Sequence, residues 1–206
     1  MKHIHDKVDQ YYSQRLQEHG KTHWGVDWNS TDSQHLRFAQ LLKAAHGRSF
    51  SVLDYGCGYG ELVNYLRQQQ YTFEYVGYDI AAAMVAAAQE THGDLPGCRF
   101  TSTLDELQPA DYVVASGIFN VRLDTGDDQW RDYIHQTIAH MWRLAKKGLA
   151  FNMLTSYSDK EYMRDYLYYA DPLYWFDTLK RTYSRHVALL HDYGLYEFTM
   201  LVKHEA

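Results

Sequence analysis

An α/β fold is predicted: a doubly wound, mostly parallel sheet that closes on a C-terminal antiparallel hairpin, with a helical cap ahead of it. Three observations carry that prediction. From residue 50 onward, short β-rich runs alternate with helical segments, the grammar of a parallel sheet covered on both faces. The first of these runs sits in SVLDYGCGYG, where an apolar strand closes on an aspartate and then on glycines at alternate positions. The last two runs are separated only by Asp192, Tyr193 and Gly194, turn formers that fold one strand back on another.

Taken in order, Ile4, Val8, Tyr11, Tyr12 and Leu16 recur at helical spacing, so a helix is expected over 3–19 with Gly20 as its stop. The segment HWGVDWNSTD mixes two tryptophans with turn formers, and Ser30 or Thr31 is placed to cap a second helix through Leu36, Phe38, Leu41 and Leu42 to Gly47. Strands are expected over 50–55, 73–78, 98–101, 112–116 and 149–154, with helices near 60–70, 80–91 and 128–145. Pro96, Pro109 and Pro172 all fall at the divisions between them. Beyond residue 155 come a polar turn, a very aromatic stretch, and Ala170-Asp171-Pro172 opening another helix before the closing strands over 185–191 and 195–203. No repeat or long linker divides the chain, so residues 1–47 read as a cap or lid and 48–206 as one compact unit.

Composition narrows the function. With 20 Lys+Arg against 26 Asp+Glu the formal charge is −6, opposite to what nucleic-acid binding demands. The dense basic cluster, Arg143, Lys146 and Lys147, is expected at a helix C-terminus, where cations complement the dipole. The charged start MKHIHDKVDQYY has no apolar core of a signal peptide, and no window approaches a membrane span, so a cytoplasmic protein without membrane attachment is expected. Cys57 and Cys98 have no metal-ligand spacing and the histidines form no helix-borne pair, so neither a disulfide framework nor a metal is expected. Aromatic residues make up 16% of the chain, with 19 tyrosines and 5 tryptophans, more than packing alone usually demands; some of these rings are expected to line a site.

A strand, a glycine-rich turn and a helix form a nucleotide-binding arrangement, because glycine lets backbone approach a ligand where a Cβ would clash. The spacing here is Asp54-x-Gly56-x-Gly58-x-Gly60, whereas the dinucleotide fingerprint needs its third glycine one residue later; position 61 is Glu61, poorly suited to a pyrophosphate. The next strand, YVGYDI, ends in Asp79, placed to accept ribose hydroxyls or to cap the helix that follows. Together DYGCGYG, YVGYDI and the fourth-strand segment DYVVASGIF resemble the class I S-adenosylmethionine-dependent methyltransferases, a Rossmann-like family, from residue 50 to the end. The resemblance implies that Asp54, Gly56, Cys57 and Gly58 surround the methionine part of S-adenosylmethionine and that Asp79 holds the ribose. Ile80 and Met84 would lie against adenine, and Ser116 and Gly117 beside the reacting methyl group. Ser102, in FTSTLDE, stands where many relatives carry an acid or amide for the adenine amino group.

Ligands of an open α/β sheet bind beyond the carboxyl ends of the strands, which nominates the loops after strands four and five. Asn120 and Arg122 are the candidate catalytic groups there, with His23 and His191 as candidate bases. Tyr11, Tyr12, Trp24, Trp28, Asn120, Asn152 and Tyr157 are the candidate acceptor contacts, and Tyr162, Tyr166, Tyr168 and Tyr169 further wall material. The leading reading is methyl transfer to a small-molecule acceptor, leaving S-adenosylhomocysteine, by a monomer or homodimer that binds neither nucleic acid nor membrane. A non-catalytic S-adenosylmethionine-binding regulatory or partner subunit is the alternative. A nicotinamide dehydrogenase fits the strand–loop–helix pattern but not the glycine spacing.

Overall fold

Periodicity and capping act first. In the structure, a computed structural model describing residues 2–205, helix α1 runs Lys2–His19 and stops at Gly20, whose N–H reaches back to Leu16 O at 2.8 Å. A 3-10 turn at His23–Val26 leads into α2, Thr31–Leu41. Ser30 caps α2 reciprocally: its Oγ accepts the Ser33 N–H at 3.1 Å while Ser33 Oγ accepts the Ser30 N–H at 3.2 Å, satisfying two donors that the helix start leaves open.

The strands β1 (Ser49–Tyr55), β2 (Thr72–Tyr78), β3 (Cys98–Thr101), β4 (Ala110–Ala115) and β5 (Ala145–Leu154) are parallel; β6 (His186–Leu190) and β7 (Glu197–Lys203) form the antiparallel hairpin. Their order is β3-β2-β1-β4-β5-β7-β6, with β7 antiparallel to β5. The crossovers are α3 (Glu61–Gln68), α4 (Ala82–His92) and α5 (Asp127–Leu144), and α6 (Pro172–Thr182) precedes the hairpin. Asp171 Oδ1 accepts the Leu173 N–H at 2.8 Å and Pro172 takes the first helical position, where its missing N–H costs nothing.

The two-residue period of the strands divides the core. Leu53, Val113, Ala115, Phe151 and Met200 point to one face and pack with Trp130, Ile134, Ile138 and Met141 of α5 and with Trp175 and Leu179 of α6. Val52, Tyr112, Val114, Ala150 and Leu201 point to the other face, against Phe38 and Leu41 of α2 and Leu62, Val63 and Leu66 of α3. The N-terminal helices belong to this core: Ile4 of α1 is 2% exposed in the first cluster and Phe38 of α2 is 4% exposed in the second.

Two elements depart from the expected boundaries: α2 ends at Leu41 and passes into a 3-10 turn over Leu42–Ala44 instead of running to Gly47, and β5 starts early. β5 begins at Ala145 rather than 149, directly where α5 ends, because Ala110 of β4 already pairs with Ala145. The basic cluster is thereby split: Arg143 lies in the last turn of α5, while Lys146 and Lys147 lie on the strand, with Lys147 Nζ 3.0 Å from Asp111 Oδ1. No helix among the described residues is long and apolar enough to cross a membrane.

The order of winding places the site. β1 continues outward to β2 and β3, β4 outward to β5, so the crevice beyond the carboxyl ends of β1 and β4 is the topological switch point.

Candidate active site

The loop after β1 meets that crevice with bare backbone. Gly56 has φ +87° and Gly58 φ +54°, and a Cβ on Gly56 would come within 2.2 Å of Ile118 Cγ2 in the loop after β4. The Gly56 and Cys57 N–H groups donate to Tyr78 O at 2.7 and 2.9 Å, tying the loop to the end of β2. Asp79 completes the tie: Oδ2 accepts the Gly58 N–H at 2.8 Å and Oδ1 the Ala81 N–H at 2.9 Å. Burial pushes its carboxyl up to about 6, with the two backbone bonds pulling the other way. One strand over, Tyr75 donates its hydroxyl to Asp54 Oδ2 at 2.7 Å, and burial, opposed by that bond, pushes Asp54 up to about 7.

Around this loop lies a narrow cleft of about 90 Å³. Its sheet side carries Asp54, Gly56, Cys57, Gly58, Asp79, Ile80 and Met84 and, after β4, Ser116, Gly117 and Ile118; its far side is Val8 and Tyr12 of α1, Val26, Trp28, and Tyr133 of α5. Ser116 Oγ is buried there with no hydrogen-bond partner among the described residues.

A broader chamber of about 560 Å³ adjoins it, and Tyr12, Val26, Trp28 and Gly117 line both. The chamber is walled by Trp24, Tyr162, Tyr166, Tyr169 and Tyr196, with Ser158, Asn29, Asn120, Arg15, Asp27, Arg37, Glu197 and Arg164 as its polar groups. Behind the junction runs a buried chain of hydrogen bonds. Gly117 N–H donates to Asn152 Oδ1 at 2.7 Å, and Asn152 Nδ2 donates to Glu197 Oε2 at 2.8 Å. Arg37 grips the Glu197 carboxylate through Nε at 2.9 and 3.0 Å and Nη2 at 2.6 Å, and its guanidinium lies 3.9 Å over the Trp28 ring. Trp28 in turn occupies the space a Cβ on Gly117 would need, 2.5 Å from its Cη2.

Residues 53–148 match the family model described as a methyltransferase domain. Over 154 residues the chain is 49% identical to Rv1506c of Mycobacterium tuberculosis, provisionally named a methyltransferase, covering 75% of this chain and 93% of the relative. The chain belongs to the methyltransferase family. Solved methyltransferases share the fold: the magnesium protoporphyrin IX methyltransferase of Synechocystis PCC 6803 with bound S-adenosylhomocysteine is 16% identical, covering 97% of this chain and 99% of that one at a TM-score of 0.66. A complex of DhpI with S-adenosylhomocysteine, also 16% identical, covers 96% and 95% at a TM-score of 0.64.

On this methyltransferase the expected cofactor contacts gather, with one exception, in the lining of the narrow cleft. The exception is Ser102, exposed and outside it, because the end of β3 turns inward: Thr101 Oγ1 donates to Glu106 Oε2 at 2.5 Å and accepts the Thr103 N–H at 3.1 Å. Asp79 accepts the N–H of Ala81, the residue that leads into α4, and its carboxylate lines the cleft.

The other candidates scatter. Tyr12 and Trp28 line both cavities, and Trp24 and Asn120 line the chamber. Tyr11 lines neither and stands edge-on to Tyr12. Asn152 is fully buried behind Gly117. Arg122 is spent on backbone carbonyls, donating to Thr125 O of its own loop at 2.9 Å and to Leu167 O of the segment before α6 at 3.2 Å. His23 lies against Trp24 and His191 against Tyr157, which is 64% exposed; none of the three lines either cavity. Tyr168 is buried in the core. Sequence reasoning missed Arg37 and Glu197, whose partnership spans 160 positions and leaves no local signal, and it missed Arg164 and Tyr133.

Proposed function

We propose that this methyltransferase carries the methyl group of S-adenosylmethionine to a small-molecule acceptor held in the aromatic chamber. The observation that carries the reading is the junction: the cleft and the chamber adjoin, with Tyr12, Val26, Trp28 and Gly117 in the lining of both. Donor and acceptor would meet across those residues.

The cleft suits the cofactor on its own chemistry. Glycine backbone leaves room beside β1, the Asp79 carboxylate is available to ribose hydroxyls, Ile80 and Met84 offer an apolar wall, and the orphaned Ser116 Oγ wants a polar partner. When bound, S-adenosylmethionine supplies an electrophilic methyl on a cationic sulfur. The chain supplies position and dryness: Trp28 and Tyr12 close the junction, and aromatic faces tolerate positive charge. Burial holds the Tyr12 phenol well above its ordinary range, so it serves as a hydroxyl donor and not as a base. Of the groups singled out in the sequence, Asn120 is the polar one able to orient an acceptor, whereas Arg122, His23 and His191 lie elsewhere.

Calorimetric titration with S-adenosylmethionine, S-adenosylhomocysteine and NADH tests the cofactor half. Binding of the first two, weakened at least tenfold by Asp79→Ala, and no response to NADH is expected. Absence of sulfonium and product binding would sink the reading. Incubation with labelled cofactor and a small-metabolite extract, followed by mass spectrometry for added methyl groups, tests the acceptor half.

A further inference from the structure

Building on the acceptor-chamber reading, we infer that the acceptor carries an oxyanion, a carboxylate or phosphate, and that Arg164 at the chamber wall receives it.

The charges lining the chamber leave one cation over. Three guanidinium groups, Arg15, Arg37 and Arg164, face two carboxylates, Asp27 and Glu197. Asp27 Oδ1 lies 2.7 Å from Arg15 Nε, and Glu197 is held in the Arg37 fork. Arg164 has no carboxylate within ion-pair distance among the described residues, although Glu161 and Asp165 are its near neighbours in sequence. Its Nη1 donates to the carbonyls of Glu161 at 3.3 Å and Met163 at 3.1 Å, leaving the Nε and Nη2 edge, the fork that matches an oxyanion, without a partner among the described residues. In a chain of formal charge −6, an arginine beside a cavity that makes no ion pair among the described residues is a cation open to an anionic ligand.

The wall that carries Arg164 is held in place. Leu167 bridges to Val121, the Tyr168 N–H donates to Asn120 O at 2.8 Å, the Ala170 N–H to Leu154 O at 2.8 Å, and the Arg164 N–H to Tyr169 Oη at 2.9 Å. The backbone is therefore preorganised and the side chain is exposed.

A second observation points the same way from the inner end. Asn120 is 5% exposed and lines the chamber; its Oδ1 accepts the Leu154 N–H at 3.1 Å, but its amide NH2 donates to no group among the described residues. That nitrogen lies 3.7 Å from where a Cβ on Gly117 would stand, at the junction with the cofactor cleft. Arg164 and Asn120 thus offer donors, and the acceptor oxygen left open in the lining, Asp27 Oδ2, belongs to a carboxylate already paired with Arg15. An acceptor with a flat body between the tyrosines, its oxyanion on Arg164 and a lone-pair oxygen or nitrogen toward Asn120, satisfies both.

The test uses the full chain saturated with S-adenosylhomocysteine, titrated with a matched set of aromatic carboxylates, their primary amides and their aryl phosphates, on wild type and Arg164→Gln. At least one charged probe is expected to bind roughly tenfold tighter than its amide, with the preference lost in Arg164→Gln and partly kept in Arg164→Lys. The carboxylate and phosphate arms decide which oxyanion is preferred. Equal binding of acid and amide, or a preference that survives Arg164→Gln, overturns the inference while leaving the small-molecule reading intact. No binding by any probe, with S-adenosylhomocysteine bound, overturns both.

Discussion

The cofactor cleft and the acceptor chamber share four residues and are built in opposite ways. The cleft's sheet side comes from one strand–loop–helix unit and the tips of the adjoining strands; its key bonds, Gly58 to Asp79 and Tyr75 to Asp54, each span 21 positions. The chamber is assembled from both N-terminal helices and the turn between them, the loop after β4, the end of β5 with the segment before α6, and the start of β7. Local grammar can specify the first because each glycine and acid answers to a neighbour in the same unit. The second exists only after the chain has folded, and the ion pair that fixes it joins residues 160 positions apart.

Removing that ion pair should separate the two regions most sharply. Glu197→Ala strands the Arg37 guanidinium, 6% exposed, and the Asn152 amide in the interior, so a loss of about 3–5 kcal/mol of stability is expected in denaturant unfolding. Arg37→Met with Glu197→Leu should recover most of it but not all, because Asn152 Nδ2 still lacks its acceptor. If instead Glu197→Ala leaves stability unchanged, the chamber is not held by this pair and the contrast between the regions fails. In the surviving folded fraction, S-adenosylhomocysteine should still bind, since the bonds that shape the cleft loop do not pass through Glu197.

A smaller effect is expected at the junction itself. Gly117→Ala places a methyl in a left-handed residue, φ +78°, against Trp28, so about 1–3 kcal/mol of stability should be lost. Because Trp28 and Gly117 face both cavities, this change should weaken product binding and raise the acceptor KM together. A variant that moved only one of the two would show that cleft and chamber do not meet there.

The sheet, its hairpin and the cleft loop were legible in the sequence for the same reason that the cleft is local. Alternating apolar residues set each strand's faces, Gly20 and Ser30 punctuated the N-terminal helices, and Asp54-x-Gly56-x-Gly58-x-Gly60 announced close backbone approach. The start of β5 was missed because a parallel neighbour, not local propensity, carries the strand back to Ala145. Ser102 was drawn toward the cleft by position alone, whereas the side chain of Glu106 turns that stretch inward. Among the chamber candidates, residue type was informative and placement was not. His23, His191, Arg122 and Tyr157 have suitable chemistry but are directed by contacts that no spacing rule reveals.

The finest distinction between the regions is electrostatic, and Asp79 provides it. In the free protein its carboxyl titrates near 6 and that of Asp54 near 7, both raised above the ordinary 3.8 by burial. A raised folded-state value means that the stability contributed by these groups is full below pH 4 and is lost as pH rises through about 6 to 7. Ribose hydroxyls donating to Asp79 favour its ionised form, so cofactor binding should run the other way. S-adenosylhomocysteine affinity is expected to fall about tenfold between pH 7.5 and pH 5, and the rise in melting temperature caused by saturating ligand should shrink over the same interval. Asp79→Asn should flatten that profile and lower the affinity at pH 7.5, while Arg164→Gln should leave the profile's shape untouched. A pH-independent affinity in the wild type would mean that the carboxylate stays committed to Gly58 and Ala81, its role that of a loop fastener alone, and that the ribose is held by other groups of the cleft.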